Sequence, residues 1–321
     1  MDFSKDSSRG GQHAGPPDGP DGKPHDPADH AGTARARLRA RIGALTTGMR
    51  ADGSRLGPVL ADALDTQGKC FRGTLMLLTA EALGAAGDAV LDAAVACEMI
   101  HTASLLIDDL PSMDNAALRR GTPAFHVRHG EATTILAGIA LLAEAVRLVS
   151  RAPADAGKRA GMAALLADAV GTAGLCEGQL RDLSPEKSAQ GIKAEHDLKT
   201  GALFVCGFDM VALAAGCGAD RQKGMAALGL LLGRCFQCLD DLLDAVGTEE
   251  STGKTVGRDG AGRGQLAVRG LDDAVALYHA MRADLDRSLS DCGFAGTAVD
   301  RYIAQVLPRD LPGRDAAAAS A

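Results

Sequence analysis

Aromatic residues are scarce in this 321-residue chain: there is no Trp, with two Tyr and seven Phe making up 3% of the sequence. Its core must therefore be built from aliphatic side chains. A surplus of positive charge is also missing. The 34 basic and 41 acidic residues leave a net charge of −7, which argues against sequence-independent nucleic-acid binding. No uninterrupted run of 18 apolar residues occurs, so no membrane span is expected. The N-terminus lacks the charged-then-apolar pattern of a signal peptide. Eight Cys are present, but Cys235 and Cys238 are the only close pair. A second Cys or His pair, which a zinc site needs, does not accompany them. Reduced, buried thiols in a cytoplasmic protein are expected.

What is present reads as helix. Leu38, Ile42, Leu45 and Met49 recur at helical spacing. Residues 74–85, 88–109, 130–149, 157–180, 193–216, 222–246 and 272–290 form long Ala- and Leu-rich stretches bounded by Gly, Pro or Asp. Gly53, Gly57, Gly87, Gly121 and Gly191 stand at expected boundaries, and no β-type alternation bounded by turns is visible. An all-α single bundle of roughly ten helices is expected over residues 33–307. Residues 1–32 hold five of the twelve Pro and only Met1 and Phe3 as large apolar side chains. They read as a disordered tail, because they bury too little to offset ordering entropy. Residues 308–321 read as a frayed C-terminal tail.

Two carboxylate clusters carry chemistry. Asp108, Asp109 and Asp114 end an apolar stretch in which Pro111 breaks the helix. Asp240, Asp241 and Asp244 lie within another apolar helix, where Asp240 and Asp244 share a face about 5–6 Å apart. Like charges so placed repel, and a hard cation offsets them. Mg²⁺ suits this donor set, because it takes carboxylate oxygens, keeps waters and completes its shell with substrate phosphates. Cations near the clusters point to such phosphates. They are Arg119 and Arg120 after the first, Lys69 and Arg72 upstream, Lys199 beside Thr200, and Lys254 after the second. No Walker-type glycine loop is present.

The stretch HTASLLIDDLPSMDNAALRRGTPAFHVRHGE at 101–131, with FQCLDDLLD at 236–244, GLCEGQLRDL at 174–183 and LKTGALF at 198–204, resembles the trans-isoprenyl diphosphate synthases. Within them the resemblance is to bacterial geranylgeranyl diphosphate synthases of the carotenoid type, and it runs from about residue 35 to 305. It implies an isoprenoid-synthase bundle around a central apolar cavity. It also implies a homodimer and a Mg²⁺-dependent head-to-tail condensation of isopentenyl diphosphate with an allylic diphosphate. By the same resemblance all six Asp residues bind Mg²⁺, and Arg119 holds the allylic diphosphate. Lys69, Arg72, His101 and Arg120 hold isopentenyl diphosphate, while Lys199, Thr200, Gln237 and Lys254 complete the allylic pocket.

Small side chains at Ala103 and Ser104, five and four residues before Asp108, imply a tunnel open past C15 and a C20 product. A C15 product is the alternative. A non-catalytic partner subunit of a heteromeric synthase is a second alternative, and a terpene cyclase a third. The six retained Asp argue against the partner subunit, and the isopentenyl set argues against the cyclase. The chain departs from the family pattern in two places. Gly68-Lys69-Cys70-Phe71-Arg72-Gly73 stands where Gly-Lys-Arg-x-Arg-Pro is usual. After the second cluster, Arg258 and Arg263 replace Lys, and Gly264-Gln265 replaces Ser-Thr.

Overall fold

The computed structural model describes residues 29–66, 68–184, 189–246 and 270–311, without the side chains of 189 and 244–246. The carboxylate of Asp244 and the whole of Lys254 therefore lie outside the described residues. Helices α1 (His30–Ala51), α2 (Gly57–Asp65), α3 (Phe71–Ala82) and α4 (Asp88–Asp108) come first. A short hairpin, β1 (Leu118–Arg119) and β2 (Thr122–Pro123), follows α4. Then come α5 (Phe125–His129), α6 (Glu131–Ser150), α7 (Ala156–Val170), α8 (Leu175–Asp182) and α9 (Ala189–His196). A π-helical turn, Asp197–Gly201, joins α9 to α10 (Ala202–Ala215). Helices α11 (Ala219–Val246), α12 (Leu271–Asp291) and α13 (Ala298–Val306) complete the described chain.

Helix α4 is the axis of this all-α bundle. It packs against α1, α3, α6 and α10, and Val95, Ala96, Cys97 and Met99 on successive faces are fully buried. A helix enclosed on all sides needs apolar residues all round rather than one stripe. Small residues let its neighbours approach. A Cβ on Gly138 of α6 would lie 2.9 Å from the Ile107 side chain and 3.8 Å from the Ala103 carbonyl.

Several sequence expectations shift. Helix α1 begins at His30, capped by the Asp29 side chain accepting from the Gly32 N–H, so residues 29–32 do not belong to a tail. At the other end Pro308 and Arg309 are tied down. The Pro308 carbonyl accepts from the Tyr278 hydroxyl at 2.7 Å, and Arg309 pairs with Asp286 and Asp300. The stretch 157–180 is two helices, broken between Gly171 and Gly174, where a Cβ on Gly174 would lie 2.0 Å from the Ala169 carbonyl. Gly191 falls inside α9 rather than at its edge. The seven Cys other than Cys176 are buried or half-buried, but Cys176 is exposed.

The membrane expectation also changes. Stretches 88–108, 131–150, 156–182 and 190–215 are each long and apolar enough to cross a bilayer by length and composition. The first is a core helix here, with 72% of its 18-residue apolar window buried inside the protein.

The hairpin was not anticipated, because each strand has only two residues. Its turn, Arg120-Gly121, has both φ values positive, at 54° and 74°, the geometry of a type I′ turn. Leu118 pairs with Pro123 and Arg119 with Thr122.

Half-buried Asp209 on α10 carries a carboxyl that burial raises to about 6. A raised folded-state value means the native state binds the extra proton. Its benefit is complete below the unfolded value near 4 and is lost as pH rises through about 6. Asp209→Asn should therefore raise Tm by about 2–4 °C at pH 7.5, for about 1 kcal/mol, and by much less at pH 4. Thermal melts at the two pH values measure the difference.

Candidate active site

The end of α4 brings the expected residues into two groups. One lines a cavity of about 820 Å³: Lys69, Arg72, His101, Arg119, Arg120 and Asp109. The other consists of Asp108 beside Lys199, and of Thr200, Gln237 and Asp241 in a hydrogen-bonded row. None of these five lines the cavity.

The α4 terminus explains the first cluster. The helix ends at Asp108, two residues before Leu110-Pro111, because the residue ahead of a proline resists the helical conformation. The loop folds back on itself. The Asp114 N–H donates to the Asp108 carbonyl at 2.9 Å, and the Ala116 N–H to that of Asp109 at 3.2 Å. This brings Asp114 close enough to raise the Asp108 carboxyl.

Burial, aided by Asp114 and Asp109 and opposed by Lys199 and Arg119, raises Asp108 to about 6. Its neighbour Asp109 is only 2% exposed. It accepts from Arg119 Nε with both oxygens, at 3.1 and 3.0 Å, and from Nη2. Arg119, the last residue of β1, turns in to Asp109, while Arg120, the first residue of the positive-φ turn, reaches the Thr66 carbonyl at 3.1 Å.

The π-helical turn places Lys199 and Thr200. A widened turn rotates the side chains within it relative to the helices on either side. Lys199 Nζ donates to Asp182 of α8 at 2.6 Å and lies 4.0 Å from Asp108. Burial works against its charge, but Asp108 and Asp182 outweigh burial and raise its pKa. The Thr200 hydroxyl donates to Gln237 Oε1 at 3.1 Å, and Gln237 Nε2 donates to Asp241 at 3.0 Å. Arg234 clamps Asp197 at 2.5 and 2.7 Å. Close backbone contacts hold the turn. A Cβ on Gly178 would lie 2.3 Å from the Lys199 nitrogen, and one on Gly233 2.6 Å from Gly201 Cα.

The cavity side is cationic. Arg72 Nη1 lies 3.4 Å from His101 Nε2, and the Arg72 guanidinium lies 4.5 Å from the Phe204 ring centroid. Burial, then Arg72, Arg120 and Arg119, push His101 well below its ordinary value, so the ring is neutral. Gly73 has its own role: its N–H donates to Glu98 Oε1 at 2.7 Å. A proline there would have no N–H to give. Arg72 Nε finds no acceptor among the described residues, which suits an anionic ligand.

The two positions flanking α4's deep end are divided. Ala103 is buried in the α4–α6 crossing, whereas Ser104 shares Asp108's side and donates to the His101 carbonyl at 2.9 Å. Neither lines the cavity. Sequence reasoning missed the aromatic cluster of Phe71, Phe204, Phe236 and Tyr302, with Phe71 5.9, 6.1 and 5.1 Å from the other three rings. Four rings distant in sequence give no local signal. Arg35 and Arg39 of α1, also in the cavity wall, were missed because α1 carries no motif.

Among the described residues no three His, Cys, Asp or Glu converge closely enough to hold a metal alone. The donor set nonetheless fits Mg²⁺, which needs only one or two carboxylates when water and phosphate oxygens supply the rest.

This helical bundle gathers carboxylates and cations at one helix end. The chain belongs to the polyprenyl synthetase family, whose pattern it matches over residues 54–263; it is a prenyltransferase. It is 41% identical to geranylgeranyl diphosphate synthase of Pseudescherichia vulneris over 74% of this chain and 78% of that one. It is 36% identical to farnesyl diphosphate synthase of Geobacillus stearothermophilus over 73% and 84%. Its fold is similar to that of a geranyltransferase from Helicobacter pylori complexed with magnesium and isoprenyl diphosphate. That match has a TM-score of 0.73 and 26% identity, covering 88% of this chain and 98% of that one.

Gly178→Ala should push α8 from the Lys199 backbone and part Lys199 from Asp182. A misplacement near 1 Å costs about 100-fold in turnover. Prenyl-transfer kcat should fall on that scale while far-UV circular dichroism stays helical.

Proposed function

We propose that this chain condenses isopentenyl diphosphate with farnesyl diphosphate, head to tail, to give the C20 geranylgeranyl diphosphate. The observation that carries this reading is the pair of groups gathered at the end of α4. A cationic cavity lined by Lys69, Arg72, His101 and Arg120, and a carboxylate–lysine group of Asp108, Lys199 and Asp182, offer subsites for two diphosphates. Lys69, Arg72, His101 and Arg120 hold isopentenyl diphosphate in the cavity. Neutral His101 donates one hydrogen bond without adding to the charge.

Asp108 and Asp114 from one side, with Asp240, Asp241 and Asp244 from α11, would hold Mg²⁺. When bound, Mg²⁺ supplies positive charge at the diphosphate oxygens. Asp109 is committed to Arg119 and orients that guanidinium toward the allylic diphosphate. Lys199 adds a point charge beside Asp108, and Thr200 and Gln237 steady Asp241. These fixed charges stabilise the leaving group as its C–O bond breaks and the electron pair departs with the diphosphate. The isopentenyl double bond then supplies the electron pair of the new 1′–4 carbon–carbon bond. A proton leaves the adjacent carbon for the departing diphosphate. The aliphatic bundle keeps water from the allylic cation. Relatives named geranylgeranyl diphosphate synthases support the C20 length, while Ala103 and Ser104 do not line the cavity. Relatives named farnesyl diphosphate synthases keep C15 as the second reading.

Purified protein with Mg²⁺, isopentenyl diphosphate and farnesyl diphosphate should yield a C20 diphosphate by mass spectrometry. A C15 product from geranyl diphosphate with no further growth would establish the second reading. Stimulation of another synthase without intrinsic elongation would indicate a partner subunit instead. Asp108→Ala should lower turnover by orders of magnitude.

A homodimer through α6 completes the reading. Ile135, Leu136, Ile139 and Val146 are exposed on this helix, at 42%, 57%, 58% and 40%, an apolar stripe of the kind that subunit contacts cover. A relative in Arabidopsis thaliana named as the large subunit of a heterodimeric synthase makes a different subunit the other candidate. Light scattering should give twice the chain mass for the wild type and the monomer mass for Ile139→Asp.

A further inference from the structure

The cavity beside α4 contains two cations outside every motif. Arg35 and Arg39 stand four residues apart on α1, hence on one helix face, and line the cavity with Lys69, Arg72 and Arg120. Between Lys69 and Arg72 the chain places Cys70, 4% exposed, where the family pattern has arginine. A thiol supplies neither that positive charge nor a guanidinium fork.

The α1 arginines converge on the same slot. Burial and Glu98 push the Cys70 thiol up to about 11, while Arg39, by charge and by a side-chain hydrogen bond, and Arg35, by charge, pull it down. Arg39 thus lies beside Cys70 in the cavity wall. Arg35 is anchored beside it, its Nη2 donating to the Tyr302 hydroxyl at 3.4 Å and its guanidinium lying 5.9 Å from that ring's centroid. Arg35 Nε, like Arg72 Nε, finds no acceptor among the described residues. Two buried guanidinium N–H groups on residues lining one cavity form a donor surplus that a diphosphate satisfies. Opposing carboxylates in the lining are Glu98, which accepts from Gly73, and Asp109, which accepts from Arg119.

We propose that Arg39, seconded by Arg35, adds from α1 a diphosphate contact to those of Lys69 and Arg72 on the α3 side, so that the isopentenyl diphosphate subsite spans two helices. This rests on the condensation reading above. It makes Arg35 and Arg39 specificity-determining for the homoallylic substrate alone. They stand in the cavity wall with Lys69, Arg72 and Arg120.

The test measures KM for each substrate separately in Arg39→Gln, Arg35→Gln and the double variant Arg39→Gln/Cys70→Arg. Arg39→Gln should raise KM for isopentenyl diphosphate about tenfold, the scale of one charge-assisted contact, with the farnesyl diphosphate KM changed less than twofold. Cys70→Arg in the same chain should recover most of the loss. An unchanged isopentenyl KM, or equal rises for both substrates, overturns the proposal. Should the double variant fail to fold by circular dichroism, the KM split of the single variants decides. Wild-type protein that forms no prenyl diphosphate overturns the condensation reading instead. Calorimetric titration with isopentenyl diphosphate alone then judges the arginines: weaker binding by Arg39→Gln supports them, and equal binding overturns them.

Discussion

Asp108, Asp109, Lys199 and Arg119 meet where the buried helix α4 ends, and holding that much charge largely out of water is the constraint to which the surrounding chain is fitted. An isolated buried charge is costly, and a buried pair is tolerable only with close geometry and further hydrogen bonds. Asp109 meets this with a bidentate arginine. Asp108 meets it only in part: its nearest cation is 4.0 Å away and its carboxyl rises to about 6. A carboxylate left short of positive charge is a suitable ligand for a divalent cation. The hairpin, the π-helical turn and the close crossing of α8 each serve to bring a cation to that helix end.

The aromatic poverty of the chain takes on a different meaning in three dimensions. Three of the few rings gather around Phe71, at the start of α3 and in the wall of the cationic cavity. Arg72 lies over one of them and Arg35 over another. A ring face offers a guanidinium partial compensation without consuming its N–H donors. The cavity can thus hold several arginines whose donors remain available to an anion. The net charge of −7 does not oppose such a ligand, because the local field is set by the groups in the wall.

Much of the site was legible because its chemistry is written in short segments. Asp108-Asp109 with Asp114, Lys199-Thr200, and Arg119-Arg120 each lie within a few residues, and helix periodicity places the members of each on definable faces. The structure divided them in ways that spacing does not encode. Arg119 and Arg120 are neighbours in sequence yet serve different partners, because a two-residue turn with positive φ sends them apart. Ala103 and Ser104 are likewise adjacent, but one is consumed by the α4–α6 crossing. Gly73 looked like a lost proline, and its N–H proves to be the partner of Glu98, 25 residues away.

The sequence by itself determined the helical class, the carboxylate clusters and the family, since periodicity and local motifs are properties of contiguous residues. Tertiary structure alone decided which cations face which carboxylates, and that Arg35 and Arg39 of α1 share a cavity with the α3 motif. The physical reason is that charge pairing acts through space. Its energy depends on distance and burial between segments, and neither is recorded in the order of residues.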